Sequence, residues 1–122
     1  MSPTSEDPRL ARLTKICLGF PETTRQDTGS HASFLVRKKT FSYYLANHHG
    51  DGIVSACFKV ALGGNADLVA SDPVRFYLPA YIGPRGWVAL RLDRGDIDWD
   101  EVAGLAADSF RLAAPKRLAA LV

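Results

Sequence analysis

The sequence predicts an α+β two-layer sandwich, with helices on one face of an antiparallel sheet. Three observations carry that expectation. The chain opens and closes in segments whose apolar residues recur at helical spacing. Residues 23 to 60 alternate instead with a period of two. The turns inside that stretch are too short for crossovers, so its strands form an antiparallel meander. The expected order is helix, four strands, short helix, strand, helix, helix, with about five strands in the sheet.

The first helix starts at Asp7-Pro8, an N-cap acceptor followed by a proline at the first helical position. Leu10, Leu13, Ile16, Cys17 and Phe20 share one face, Arg9, Arg12 and Lys15 the other, and Gly19 and Pro21 stop it. Four strands follow, near 23–28, 32–37, 40–46 and 52–60, turning at Gly29-Ser30, at Lys38-Lys39 and across Asn47 to Gly52. Gly63-Gly64-Asn65 leads into a short helix near 66–71, closed by Pro73; its glycines lack the pattern of a phosphate loop. Val74 to Leu78 is extended, and a fifth strand covers about 87–92. Asp98 caps the next helix, with Glu101 three residues on and Ile97 able to staple against Val102. A last short helix begins at Pro115.

Alternation assigns faces. Phe34, Val36, Phe41, Tyr43, Leu45, Val54, Ala56, Phe58, Val60, Val88, Leu90 and Leu92 are expected to meet the helices. The reverse face is expected to show Arg37, Ser42, Tyr44, Ser55, Cys57 and Lys59, joined by Trp87, Ala89 and Arg91. No element covers that second face in this order of segments.

The 122 residues fit one domain spanning 1–122, and a hydrophobic share of 47% sustains a core without disulfide or metal staples. Fifteen basic and thirteen acidic residues leave a net charge of only +2, so any nucleic-acid surface must come from local clustering of cations. Cys17 and Cys57 are far apart in sequence and read as buried thiols of a reducing compartment. The start of the chain lacks the apolar core of a secretory signal, and no run is long enough to span a bilayer. The expectation is a cytoplasmic protein without a membrane partner.

The candidate chemistry lies in three places. On the reverse face, Tyr44 and Trp87 are candidates for stacking on bases, and Arg37, Lys59, Arg85 and Arg91 for pairing with phosphates. The hairpin tip Arg37-Lys38-Lys39 is a candidate for lying along a groove. The turn Gly83-Pro84-Arg85-Gly86 presents a cation beside Trp87. His48, His49 and Asp51 do not have zinc spacing, and the acids Asp93 to Glu101 lack a calcium-loop pattern, so no metal and no cofactor is expected. No nucleophile sits beside an evident base, so the expectation is a non-enzymatic module.

Several segments in order resemble the MmcQ/YjbR family, small bacterial proteins described as DNA-binding. They are CLGFPE at Cys17 to Glu22, FLVRKKTFSYY from Phe34, FKV at Phe58 to Val60, the region Tyr81 to Asp93, and DSFRLAAPKRLAA from Asp108. The resemblance runs from about Leu13 to Ala120. It implies a frataxin-like sandwich and a double-wing mode of DNA binding. The first wing would be the hairpin at Arg37, Lys38 and Lys39; the second, the loop from Tyr81 to Trp87 with Arg85. This chain keeps the tyrosine, a cation and the tryptophan of the family's second-wing pattern and lacks both of its histidines. The leading expectation is therefore DNA contact by Arg37, Lys38, Lys39, Lys59, Arg85, Trp87 and Arg91, with Tyr44 and Tyr81 stacking or lining a pocket, in a monomer or weak dimer. The alternative is a module for a small molecule or protein partner, with a pocket near Trp87. Iron handling would follow from fold alone and would need an acidic first helix; this one is basic on its outer side.

Overall fold

The computed structural model describes residues 6–47 and 50–122. In chain order the elements are α1 (Pro8–Leu18), β1 (Thr23–Thr28), β2 (His31–Val36), β3 (Lys39–Ala46), β4 (Val54–Lys59), α2 (Gly64–Ser71), β5 (Phe76–Tyr77), a single 3-10 turn at Gly83–Arg85, β6 (Trp87–Arg91), α3 (Trp99–Ala113) and α4 (Lys116–Ala119). The strands form one antiparallel sheet in the order β1-β2-β3-β4-β6-β5. The sixth strand is the two-residue β5, inside the segment expected to be extended. The two-layer α+β class and the element order agree with the sequence reading.

The helix starts follow the caps. Asp7 accepts the Arg9 backbone N–H at 2.8 Å, and the Arg9 guanidinium returns to the same carboxylate at 2.6 and 2.9 Å. Asp98 accepts from the N–H groups of Asp100 and Glu101. Glu101 does not close a capping box; its carboxylate takes the Arg75 guanidinium at 2.5 Å instead, tying α3 to the segment before β5. The hairpin turn between β2 and β3 sits one residue earlier than expected, with Arg37 and Lys38 both at positive φ (49° and 71°) and Val36 paired with Lys39. Two successive left-handed residues give the primed two-residue turn, whose twist matches that of the strands.

The core lies between α1, α3 and one sheet face. Phe34, Phe41, Phe58, Phe76 and Phe110 are fully buried there with Leu13, Val88 and Val102. Phe41 meets Phe110 edge-on at 5.5 Å, and Phe20 closes on both. Each fully buried side chain of this size removes enough apolar surface to contribute roughly 1.5–3 kcal/mol.

One local feature overturns part of the face assignment. The β2–β3 register shifts, so that Phe34 lies opposite Ser42 while Leu35 lies opposite Thr40. Phe41 is thus an extra residue in β3, a bulge. Past it, Ser42 and Tyr44 turn to the core side, opposite Phe58 and Ala56, and Tyr43 and Leu45 turn to the other face, opposite Cys57 and Ser55. The expected places of Tyr43, Tyr44, Leu45 and Ser42 are therefore exchanged.

The carbonyl displaced by the bulge is taken up by α3. Ser109 Oγ donates to Phe41 O at 2.5 Å and accepts from Lys59 N at 2.9 Å. Ser109 is fully buried, its bond to Phe41 O is buried, and its bond from Lys59 N–H is part-buried. Ser109→Ala would leave the buried Phe41 carbonyl without its donor and the Lys59 N–H without its acceptor. We expect a loss of about 1–3 kcal/mol of unfolding free energy, read from urea denaturation; an unchanged midpoint would show that the relay is not structural.

Candidate functional site

The strand register brings the candidate cations to one end of the sheet. The β2–β3 tip carries Arg37, Lys38 and Lys39. Because Ser42 of β3 pairs with Phe58 of β4, and Lys59 pairs with Trp87 of β6, the end of β4 and the start of β6 lie at that same end. The Gly83–Arg85 turn sits there too. It is pinned by Asn65, whose side-chain amide donates to Gly83 O (2.9 Å) and Trp87 O (3.2 Å), and by Val60 N–H on Gly86 O (2.9 Å). Gly86 closes the turn at φ 96°, which a side chain would oppose, and a Cβ there would also meet the Lys59 chain.

Ion pairing takes up six of the fifteen cations, and among the described residues nine form no ion pair, Arg12, Lys15, Arg94, Lys116 and Arg117 together with four at the sheet end. Arg9, Arg25, Arg37, Arg75, Arg91 and Arg111 each hold a carboxylate. Arg37 grips Glu22 in a two-pronged pair at 2.7 and 3.2 Å, which lowers the Glu22 carboxyl below the usual range. Lys38, Lys39, Lys59 and Arg85 are all exposed, and among the described residues none of the four forms an ion pair. Arg117 of α4 belongs to this end as well, since Glu22 feels the charge of both Arg37 and Arg117. Sequence reading missed α4 as a contributor; the signal was the Pro115-Lys116-Arg117 start of a helix that follows directly on α3.

Other expected site residues are placed differently. Tyr44 is buried on the core side, 3% exposed, with the Asp7 carboxylate near its hydroxyl, and cannot stack on a ligand at the uncovered face. Arg91 is at the opposite end from the basic tip, across from Ser55, and is held by Asp93 at 3.0 and 3.1 Å. Trp87 is on the uncovered face as expected but is itself only 7% exposed. It packs with Cys57, Ala89, Tyr43 and Ile82, its ring 5.1 Å from that of Tyr43. Its cover includes Ile82 of segment 78–82, whose end, Tyr81 and Ile82, belongs to the loop from Tyr81 to Trp87 expected as the second wing.

That segment also encloses a cavity of about 520 Å³, lined by Tyr43 and Leu45 of β3, Tyr77 of β5, Tyr81, Ile82 and Asp51 among others. Tyr81 is 80% exposed and has φ 66°. Tyr77 shares a hydrogen bond with Ser55 at 3.0 Å. Sequence analysis named Tyr81 but not Tyr43, Tyr77 or Asp51, because the bulge hid the side to which Tyr43 turns.

Among the described residues, no group of three or more His, Cys, Asp or Glu is gathered to hold a metal ion; His48 and His49 lie outside those residues. Of the acids from Asp93 to Glu101, Asp98 caps α3 as expected, Asp100 and Glu101 lie in its first turn, and Asp93 and Glu101 also bind arginines. No helix of the described residues is long and apolar enough to cross a membrane. Both thiols are buried, and burial pushes each up to about 12.

This is a two-layer α+β fold with an open antiparallel sheet, a cationic sheet end and an apolar cavity on its outer face. Residues 18–112 match the YjbR family, and the chain belongs to that family. A solved structure of Deinococcus radiodurans protein DR2400, described as a DUF419 domain, is similar in fold, with a TM-score of 0.69 at 16% identity over 88% of this chain and 80% of that one. No curated protein matches the chain.

The thiols give a direct check. Attack on a disulfide reagent needs thiolate, which is scarce at pH 8 when the pKa is about 12. Neither Cys17 nor Cys57 should react with Ellman's reagent in the folded chain, and both should react promptly in denaturant. Fast labelling of the native protein would place a thiol at the surface.

Proposed function

We propose that this YjbR-family chain is a non-enzymatic, cytoplasmic module that binds DNA through the cationic end of its sheet. One observation carries the reading: four exposed cations that form no ion pair among the described residues, Lys38, Lys39, Lys59 and Arg85, are gathered at one end by strand register. With a net charge of only +2, the long-range field of the whole chain contributes little. A phosphate backbone responds to local clusters, and each lysine or arginine it meets releases counterions. The tip is built on a tight turn and Arg85 on a pinned one, so little freedom is lost when they engage. Arg37 contributes less, being neutralised by Glu22. Trp87 supports the Arg85 turn from below and makes no stacking platform of its own. Family membership adds support for a small binding module; DNA as the partner rests on the charge argument and the double-wing resemblance.

The alternative, a small-ligand module, gains a specific observation in the cavity beside Trp87 and Tyr43. The two surfaces are compatible, since they occupy different parts of the sheet.

Fluorescence anisotropy on duplex and single-stranded oligonucleotides, repeated across salt, tests the proposal. Four phosphate contacts predict a log–log salt slope of about −3 to −4 on duplex. Replacing Lys38 and Lys59 together by alanine should reduce the slope by about 2. Arg91→Ala should change neither slope nor affinity, because Asp93 already neutralises that guanidinium. A flat salt response, or a loss from Arg91→Ala equal to that from the double variant, would reject the basic end as the interface.

A further inference from the structure

We propose that the cavity under segment 78–82 binds a small organic cation, an amine carried on an apolar or aromatic body. At about 520 Å³ it has the size of ordinary small-ligand sites. Its walls come from three separate elements. Tyr43 and Leu45 reach it from β3, Tyr77 from β5, and Tyr81 and Ile82 from the connecting segment.

Two features choose the ligand's chemistry. The first is the set of three tyrosines around one space. Aromatic rings attract cations through their quadrupole, and enclosures of several rings are how proteins hold alkylated ammonium groups. The second is charge. Among the described residues Asp51 is the one carboxylate or base on the lining; its Oδ1 accepts the Ile53 N–H at 2.8 Å, which fixes its orientation. Its charge reaches the Tyr77 phenol, which burial already pushes up. Arg91 feels the Asp51 charge, but its guanidinium is held by Asp93 and is not on the lining. An amine entering this space therefore meets a carboxylate that is not ion-paired to that arginine, while a phosphate or carboxylate meets repulsion.

The same argument separates this site from the DNA reading. The cationic end attracts polyanions, and the cavity, at the other side of Trp87, disfavours them. Tyr81 is held at positive φ with its side chain largely exposed, a backbone cost of the type found where a ring must be aimed. Three of the lining residues rest on a packed base: Cys57, Trp87 and Ala89 are buried in a cluster against Tyr43, Tyr77 and Ile82. A preformed apolar floor with one anchored charge needs little reorganisation to bind.

Isothermal titration of the full chain with phenethylamine, phenyltrimethylammonium, phenethyl alcohol and phenylpropionate tests the inference. Both cations should bind saturably at millimolar concentration or below. The alcohol should bind at least about tenfold more weakly, and the acid should not bind. Asp51→Asn keeps the acceptor for Ile53 N–H and should weaken the cations about tenfold while leaving the alcohol unchanged. Tyr81→Ala, at an exposed position, should weaken all three binders. Unchanged thermal unfolding would show that both variants fold. Absence of saturable cation binding would overturn the proposal, as would equal binding of amine and alcohol or indifference of the amines to Asp51→Asn. None of these outcomes bears on the salt-dependent DNA assay.

Discussion

The extra residue at Phe41 and its capture by Ser109 set the character of both sheet faces. A bulge turns the strand by one side-chain position beyond it. In this chain the shift sends Tyr44 and Ser42 inward and brings Tyr43 and Leu45 out. A bulge also leaves a backbone group outside the ladder, and a buried carbonyl without a donor is costly. Ser109 supplies that donor and takes the Lys59 N–H in return, so one hydroxyl joins β3, β4 and α3. Because Ser109 is near the end of α3, the same contact carries α4, with Arg117, to the sheet end where Lys59 lies. The candidate nucleic-acid surface and the outer cavity thus both depend on one insertion in β3.

Much of the architecture was legible because local chemistry and global pattern agreed. Asp7-Pro8 and Asp98 could only be helix starts, and Gly29-Ser30 and the basic tip could only be turns in a period-two run. The order of β1 to β4 also followed from short connections, whereas the place of β6 between β4 and β5 did not. The errors have one form: they come from contacts that alternation cannot express. The FSYYLA run has aromatic residues at successive positions, so its apolar side can be read in either phase, and only the register with β2 decides. Trp87 was placed on its true face but taken as exposed, because covering by segment 78–82 is a tertiary event. Arg91 looked available because a carboxylate two positions on, Asp93, returns to the same side of the strand.

The distribution of ion pairs explains how a nearly neutral chain carries a cationic patch. Six arginines are matched to carboxylates, and most pairs lie along α1, β1 and the flanks of α3. Exposed pairs of this kind contribute little to stability, a median near 0–1 kcal/mol each. Their larger effect is on the field. Where carboxylates and guanidinium groups cancel, the surface is locally neutral, and the sheet end, with Lys38, Lys39, Lys59 and Arg85, has no such cancellation among the described residues. The use of arginine in every pair fits its chemistry. The planar guanidinium suits two-pronged carboxylate contacts, and the ammonium is a mobile, well-hydrated point charge.

Backbone strain falls on the same two surfaces. Among the described residues, five other than glycine have positive φ: Glu22, Arg37, Lys38, Asn47 and Tyr81. Asn47 is the ordinary case, since asparagine tolerates that region and here caps its own loop through Gly52 N–H. The other four are unusual choices. Arg37 and Lys38 occupy the two central positions of a primed turn for which glycine and asparagine are favoured. Glu22 holds Arg37, and Tyr81 lines the cavity. Left-handed backbone at such residues costs on the order of 1 kcal/mol apiece. A sequence free to relax would place Asn-Gly at the tip and a small residue at the position of Tyr81. Charged and aromatic side chains at these strained positions are consistent with selection for what they display. The strain is independent of the charge argument and the cavity argument, and it coincides with them at Lys38 and Tyr81.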